Sequence, residues 1–201
     1  MTKRVRRTWP LVVIGLVALL LIGGLVALQP NVTPLRWVMR TSALLGYLSI
    51  FLAAVSSAYM RQLVRFFGQP FVKTHHALSV TGLVLIVVHP VTVASNLGSL
   101  AVFVPVVDSW ISFLQWGGRV AWYLFGIASL AALLRTSLRQ QWRAIHWLNY
   151  LAFLLVTVHA ILLGTDVQSL AMQVLAIILA LLMVAIFVQK QLERRQRRAK
   201  K

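Results

Sequence analysis

Residues 73–90 read KTHHALSVTGLVLIVVHP, and residues 143–164 read RAIHWLNYLAFLLVTVHAILLG. Each is an apolar run with histidine near both ends: His75, His76 and His89 in the first, His146 and His159 in the second. These are all five histidines of the chain. An ionisable side chain is costly to bury in hydrocarbon, so an intramembrane histidine is a functional candidate from the outset. Two segments with a histidine near either end suggest a pair of haems stacked across a bilayer.

The rest of the composition agrees with a membrane setting. The 201 residues are 60% hydrophobic and 11% charged, with a mean hydropathy of +0.83, whereas a soluble domain is about 25% charged. The net charge of +17 comes from 20 Lys and Arg against three acids, Asp108, Asp166 and Glu193. The cations sit in short stretches between apolar runs, which is the positive-inside signature and not a nucleic-acid footprint. With no cysteine, the chain has no disulfide, iron–sulfur cluster or thiolate ligand, and metal chemistry must rest on histidine.

Crossing the hydrocarbon core takes about 20 apolar residues. Six stretches qualify, at 10–28, 42–60, 77–97, 117–134, 147–164 and 169–189. The first follows KRVRR as a signal peptide would, yet it is long for one and no A-x-A site follows, so it is expected to be a retained helix. The expected organisation is a basic N-terminus over 1–9, a six-helix bundle over 10–189 and a basic tail over 190–201. Only Arg36, Arg40 and Arg119, among the cations, fall on the side opposite both termini, which places the termini in the cytoplasm. The connection 98–116, with Phe103, Pro105, Trp110 and Trp116, suits a segment lying along the outer interface.

In this arrangement the third and fifth spans both start on the cytoplasmic side. His75 or His76 then lies at the depth of His146, and His89 at the depth of His159. Bis-imidazole ligation fills both axial positions of a haem iron and favours electron transfer over oxygen binding. Histidines 13 or 14 residues apart lie about 20 Å apart along a helix, so two haems would cover most of the roughly 30 Å core. Fourteen residues return to within about 40° of the starting face, and 13 miss it by about 140°. Phase therefore favours His75 over His76 as the partner of His89, and asks for irregular helix geometry between His146 and His159. Aligning the two segments on their outer histidines instead sets His76 opposite His146, so His76 stays as the alternative. A buried histidine can also simply hydrogen-bond a neighbouring carbonyl. Four at matched depths favour haem ligation.

The motifs resemble those of the ferric-reductase-like transmembrane domain family. HHALSVTGLVLIVVH is similar to its third-helix pattern H-[RK]-x-L-G…H, and WRAIHWLNYLAFLLVTVH to its fifth-helix pattern W-x-x-[LI]-H-x-L-x-Y-L…H. MRTSALLGYLSIFLAAVSSAYM, followed by GQPFV, resembles helix 2 of the haem-binding membrane subunit of bacterial methionine-sulfoxide reductase systems. The resemblance spans roughly residues 40–164, and places His75 at the first ligand position. In some members of the methionine-sulfoxide reductase branch Arg stands there, so the two-haem pattern of ferric reductases and NADPH oxidases is the closer likeness.

The resemblance implies an all-α membrane cytochrome b in which the third and fifth helices hold b-type haem through His75, His89, His146 and His159. Two haems are expected, with one as the alternative, and Arg40 and Arg119 are candidate propionate partners. It implies electron transfer from a cytoplasmic flavoprotein or quinol to an outer acceptor: ferric iron, oxygen or a partner reductase. Flavin would be carried on a separate protein, because no Gly-rich fingerprint occurs here. The expected location is a bacterial plasma membrane. The alternatives are a cytochrome of the b561 kind, reduced by ascorbate or quinol, and a haem-free transporter or scaffold subunit. Buried carboxylates, expected of a proton-coupled transporter, are missing from the predicted spans.

Overall fold

The computed structural model describes residues 16, 20, 22–24, 26–28, 32–68 and 71–199. Among them the chain is helical, with no strands. Four helices are long and apolar enough to cross a membrane, Pro34–Ala58, Phe71–Leu97, Gln141–Leu163 and Leu170–Gln196, as expected of an integral membrane protein. The fourth predicted span is seen as a shorter apolar helix, Gly117–Leu133. Most of the first predicted span, 10–28, lies outside the described residues.

The chain divides into two compact units, up to Ser99 and from Leu100. The first is built on α1 (Pro34–Ala58) and α3 (Phe71–Leu97), joined through the short α2 (Met60–Phe67). Helix α1 begins eight residues before the predicted span. Pro34 is at its first turn, where no N–H is missed, and the Thr33 hydroxyl accepts from the Arg36 N–H at 3.3 Å. Arg36 and Arg40 thus lie on the first turns of a helix and not in a loop. Arg61 and Arg65 interrupt the apolar residues of α2, so it lies beyond the predicted span 42–60 although it is helical. Met60, Leu63, Val64 and Phe67 recur at helical spacing, and Gly68 ends the helix in the left-handed conformation (φ 69°).

Small residues let α1 and α3 meet closely. A Cβ at Gly46 would lie 3.2 Å from Leu85 Cβ, and one at Gly82 would lie 2.8 Å from Ile50 Cδ1. Away from this contact, Val80, Val84, Val87 and Val91 form an exposed stripe along α3. Such a stripe would be a liability in water and is the normal surface of a helix in lipid.

The second unit contains α4 (Trp110–Gln115), α5 (Gly117–Leu133), α6 (Arg135–Leu138), α7 (Gln141–His146), α8 (Leu148–Leu163) and α9 (Leu170–Ala199). Helix α5 packs on α7 and α8, with Ala121, Ala128 and Ala152 buried between them. Helix α9 crosses the start of α8: the Phe187 ring meets Trp147 and Tyr150, and the Arg194 guanidinium lies 4.8 Å from the Trp147 ring centre. The predicted interfacial stretch 98–116 holds a 3₁₀ turn (Leu100–Phe103) and α4, with Trp110 and Ile111 exposed.

Candidate functional site

An imidazole inside a hydrocarbon environment needs a partner for its N–H, since a buried donor left unpaired costs about 1–3 kcal/mol. All four candidate ligands solve this in the same way. His75 Nδ1 lies 2.9 Å from the Ala53 carbonyl oxygen, and His89 Nδ1 lies 3.0 Å from that of Met39. In the second unit His146 Nδ1 lies 3.1 Å from the Ala128 oxygen, and His159 Nδ1 lies 2.8 Å from the Gln115 oxygen. A carbonyl can only accept, so an Nδ1 bonded to one carries the hydrogen and donates it. His146 Nδ1 also lies 3.2 Å from the Asn149 amide nitrogen, itself a donor, and of its two contacts only the carbonyl suits an Nδ1–H. In the neutral ring Nε2 is then the nitrogen with the lone pair, the form in which imidazole binds a metal.

Each unit therefore contains one helical hairpin with one pattern. The leading helical arm of the hairpin offers two carbonyls, and the returning helix brings two imidazoles to them. In the first, the carbonyl residues 39 and 53 are as far apart in sequence as His75 and His89. In the second, 115 and 128 match His146 and His159 in the same way. Equal separations on two antiparallel elements keep one register along the whole hairpin, so both imidazoles of a hairpin address the same neighbour.

The irregular geometry asked of the fifth span is present at Trp147, where α7 gives way to α8. The Trp147 N–H donates to Ala144 at 3.2 Å and the Tyr150 N–H to Trp147 at 3.0 Å. Both bonds span three residues, the tighter 3₁₀ winding. Extra rotation per residue is the sense of correction a 13-residue spacing requires. The Asn149 amide donates to the His146 carbonyl at 3.0 Å across this turn. In α3, Pro90 follows His89 inside the helix, and the Thr92 hydroxyl donates to the Val88 and His89 carbonyls.

His76 is placed differently. It is exposed, and among the described residues it makes no bond of the carbonyl type; its ring lies 5.8 Å from that of His75. Arg119 Nη1 donates to the Ala101 carbonyl at 2.7 Å and the Val104 carbonyl at 2.9 Å, and its guanidinium lies 4.4 Å from the Trp116 ring centre. With Tyr123, whose hydroxyl donates to Phe103 at 2.8 Å, it ties the 100–104 turn to α5. Arg40 is half-buried on α1. Among the described residues no three His, Cys, Asp or Glu side chains converge on a common point. A non-haem site built from three or more such side chains therefore has no candidate there.

Sequence reasoning missed the carbonyl partners, because a backbone acceptor leaves no residue signature. It also missed Gly118, where an added Cβ would lie 2.8 Å from His159 Cδ2 and 3.0 Å from its Nε2. The donor set fits a bis-imidazole group: neutral rings oriented through Nδ1, each on a helix long enough to lie in the membrane. No protein family, curated protein or solved structure matches the chain.

Proposed function

We propose that this chain is a membrane cytochrome b of the ferric-reductase-like kind, with six spans and haem held between its third and fifth. The observation that carries the reading is that the same hydrogen bond, Nδ1–H to a backbone carbonyl, orients His75, His89, His146 and His159. Metal-bound histidines almost always donate their other nitrogen in this way, which fixes the tautomer and raises ligand basicity. Sequence order supports pairing His89 with His159 at the outer level and His75 with His146 at the inner one. His76, lacking the bond, falls back to a headgroup-level residue.

Bound there, haem would supply one-electron redox chemistry between donor and acceptor. His75, His89, His146 and His159 would hold it through Nε2, a bis-imidazole ligation that favours electron transfer over oxygen binding. The donor is a cytoplasmic flavoprotein or a quinol. The acceptor lies outside: ferric iron, oxygen or a partner reductase. Both termini are cytoplasmic, on the distribution of Lys and Arg, and the membrane, on the family resemblance, is a bacterial plasma membrane. Arg40 and Arg119 remain the candidate partners for outer propionates; the Arg119 bonds recorded to the 100–104 turn use Nη1 alone.

The same hydrogen bonds favour one second reading, in which the histidines are only staples between paired helices. The two readings differ at Nε2, which a staple does not use. A reduced-minus-oxidised visible spectrum of the purified protein, with haem counted per chain, separates them. A low-spin b-type signal with about two haems per chain is expected. A haem-free protein, after expression with ample haem, leaves the staple reading.

A further inference from the structure

The two carbonyls that hold the first hairpin's histidines each accept from a serine hydroxyl as well, besides the helix's own N–H four residues on. The Ser42 hydroxyl donates to the Met39 oxygen at 3.0 Å, the oxygen that His89 Nδ1 also reaches at 3.0 Å. The Ser56 hydroxyl donates to the Ala53 oxygen at 2.8 Å, which His75 Nδ1 reaches at 2.9 Å. Both serines are buried, 2% and 4% exposed. Serine in a helix often bonds back to a carbonyl three or four residues earlier. What is particular here is that both buried serines choose the carbonyl already serving an imidazole.

The second hairpin has the same positions without the hydroxyl. Three residues on from Gln115 and Ala128 stand Gly118 and Ala131. All four positions are small, as the close approach of an imidazole demands, but only α1 adds a donor. A small side chain satisfies the packing, so alanine at 42 and 56 would have served a purely steric purpose.

We propose that Ser42 and Ser56 are positioning residues that weaken the electron donation of His89 and His75 to their haem irons. This rests on the haem reading above. A carbonyl oxygen has two lone pairs, and one shared among three donors, the helix N–H, the imidazole and the hydroxyl, holds each less strongly than one shared between two. The imidazole N–H is then less polarised and Nε2 less basic, and a less basic axial ligand favours the ferrous state. The hydroxyls therefore raise the midpoint potentials.

The test is spectroelectrochemical titration of the full chain purified with haem, with haem per chain measured alongside. Ser42→Ala and Ser56→Ala each lower the midpoint of the haem their histidine serves, with haem content unchanged. Ala131→Ser adds a hydroxyl three residues on from the carbonyl that holds His146, and raises the midpoint of that haem. Unchanged midpoints in both serine variants, at full haem content, overturn the proposal and leave the haem reading standing. Loss of haem from both serine variants, or no rise in Ala131→Ser, assigns these positions to packing and overturns it too. A parent chain without haem fails at the underlying reading instead.

Discussion

Gly118 lies against the imidazole of His159 so closely that a Cβ there would sit 3.0 Å from Nε2, the nitrogen proposed to bind iron. The ring rests on bare backbone while its Nδ1 is held 2.8 Å from the Gln115 oxygen. Gly118→Ala must push the ring off this position, because the contact is with the body of an imidazole and not with a flexible chain end. Overpacking of this kind costs about 1–3 kcal/mol. The variant is expected to lose the outer haem, seen as a fall toward half the parent haem per chain, with a lower Tm. Gly126→Ala on the same helix is the control: its Cβ meets nothing within 4 Å. Removing a helical glycine there should stabilise by about 0.5–1 kcal/mol and leave haem content unchanged.

His75 and His76 are neighbours with opposite surroundings. Only His75 donates to a carbonyl of α1, and His76 is exposed. His76→Ala is expected to keep full haem content, and His75→Ala to lose the inner haem while keeping the outer spectrum. Haem per chain by the pyridine haemochrome absorbance distinguishes the two, and the reverse result would return the inner ligand to His76.

The pairing of α1 with α3 turns on Gly82, whose missing Cβ leaves room for Ile50. Gly82→Ala would bring a methyl within 2.8–2.9 Å of two Ile50 side-chain carbons and 3.3 Å of its backbone nitrogen. A loss of about 1–3 kcal/mol is expected, read as a lowered Tm in detergent. Ile50→Ala on the Gly82→Ala background should recover part of it, because the added methyl then occupies space the isoleucine has left. A strictly additive double variant would show that the two residues do not share this contact.

The histidine positions, the apolar spans and the charge asymmetry were legible because hydrophobicity and ionisable groups are properties of side chains. The mismatch of phase between His146 and His159 was legible too, and it pointed to an irregular helix before Trp147 was located at the break. Helix ends were less readable. Arg36 and Arg40 stopped the hydrophobicity count at residue 42, although Thr33 and Pro34 carry a start signal that has nothing to do with hydrophobicity. Arg61 and Arg65 masked α2 in the same way, since an amphipathic helix of eight residues looks polar in a window suited to a span. The acceptors of the four imidazoles were beyond reach for a different reason. Backbone oxygens are present at every position, and only the pairing of helices selects Met39, Ala53, Gln115 and Ala128.

Arg119 allows the loop and the haem to be told apart. Its Nη1 donates to two carbonyls of the 100–104 turn, so its loss frees two acceptors at once. Tyr123 remains as the other tie, through Phe103. Arg119→Gln is therefore expected to loosen the turn, with faster amide hydrogen exchange over residues 100–107 and little change elsewhere. Hydrogen bonds involving a charged group contribute about 1.5–3 kcal/mol, which would raise exchange there by at least tenfold, while Tyr123→Phe raises it less. If Arg119 also neutralises an outer propionate, the removal of a positive charge favours the ferric state, and the outer midpoint falls in Arg119→Gln but not in Tyr123→Phe. Faster exchange with an unchanged midpoint confines Arg119 to the turn. A lowered midpoint in Arg119→Gln alone gives it both tasks, and an unaltered exchange pattern would contradict the hydrogen bonds from which the prediction starts.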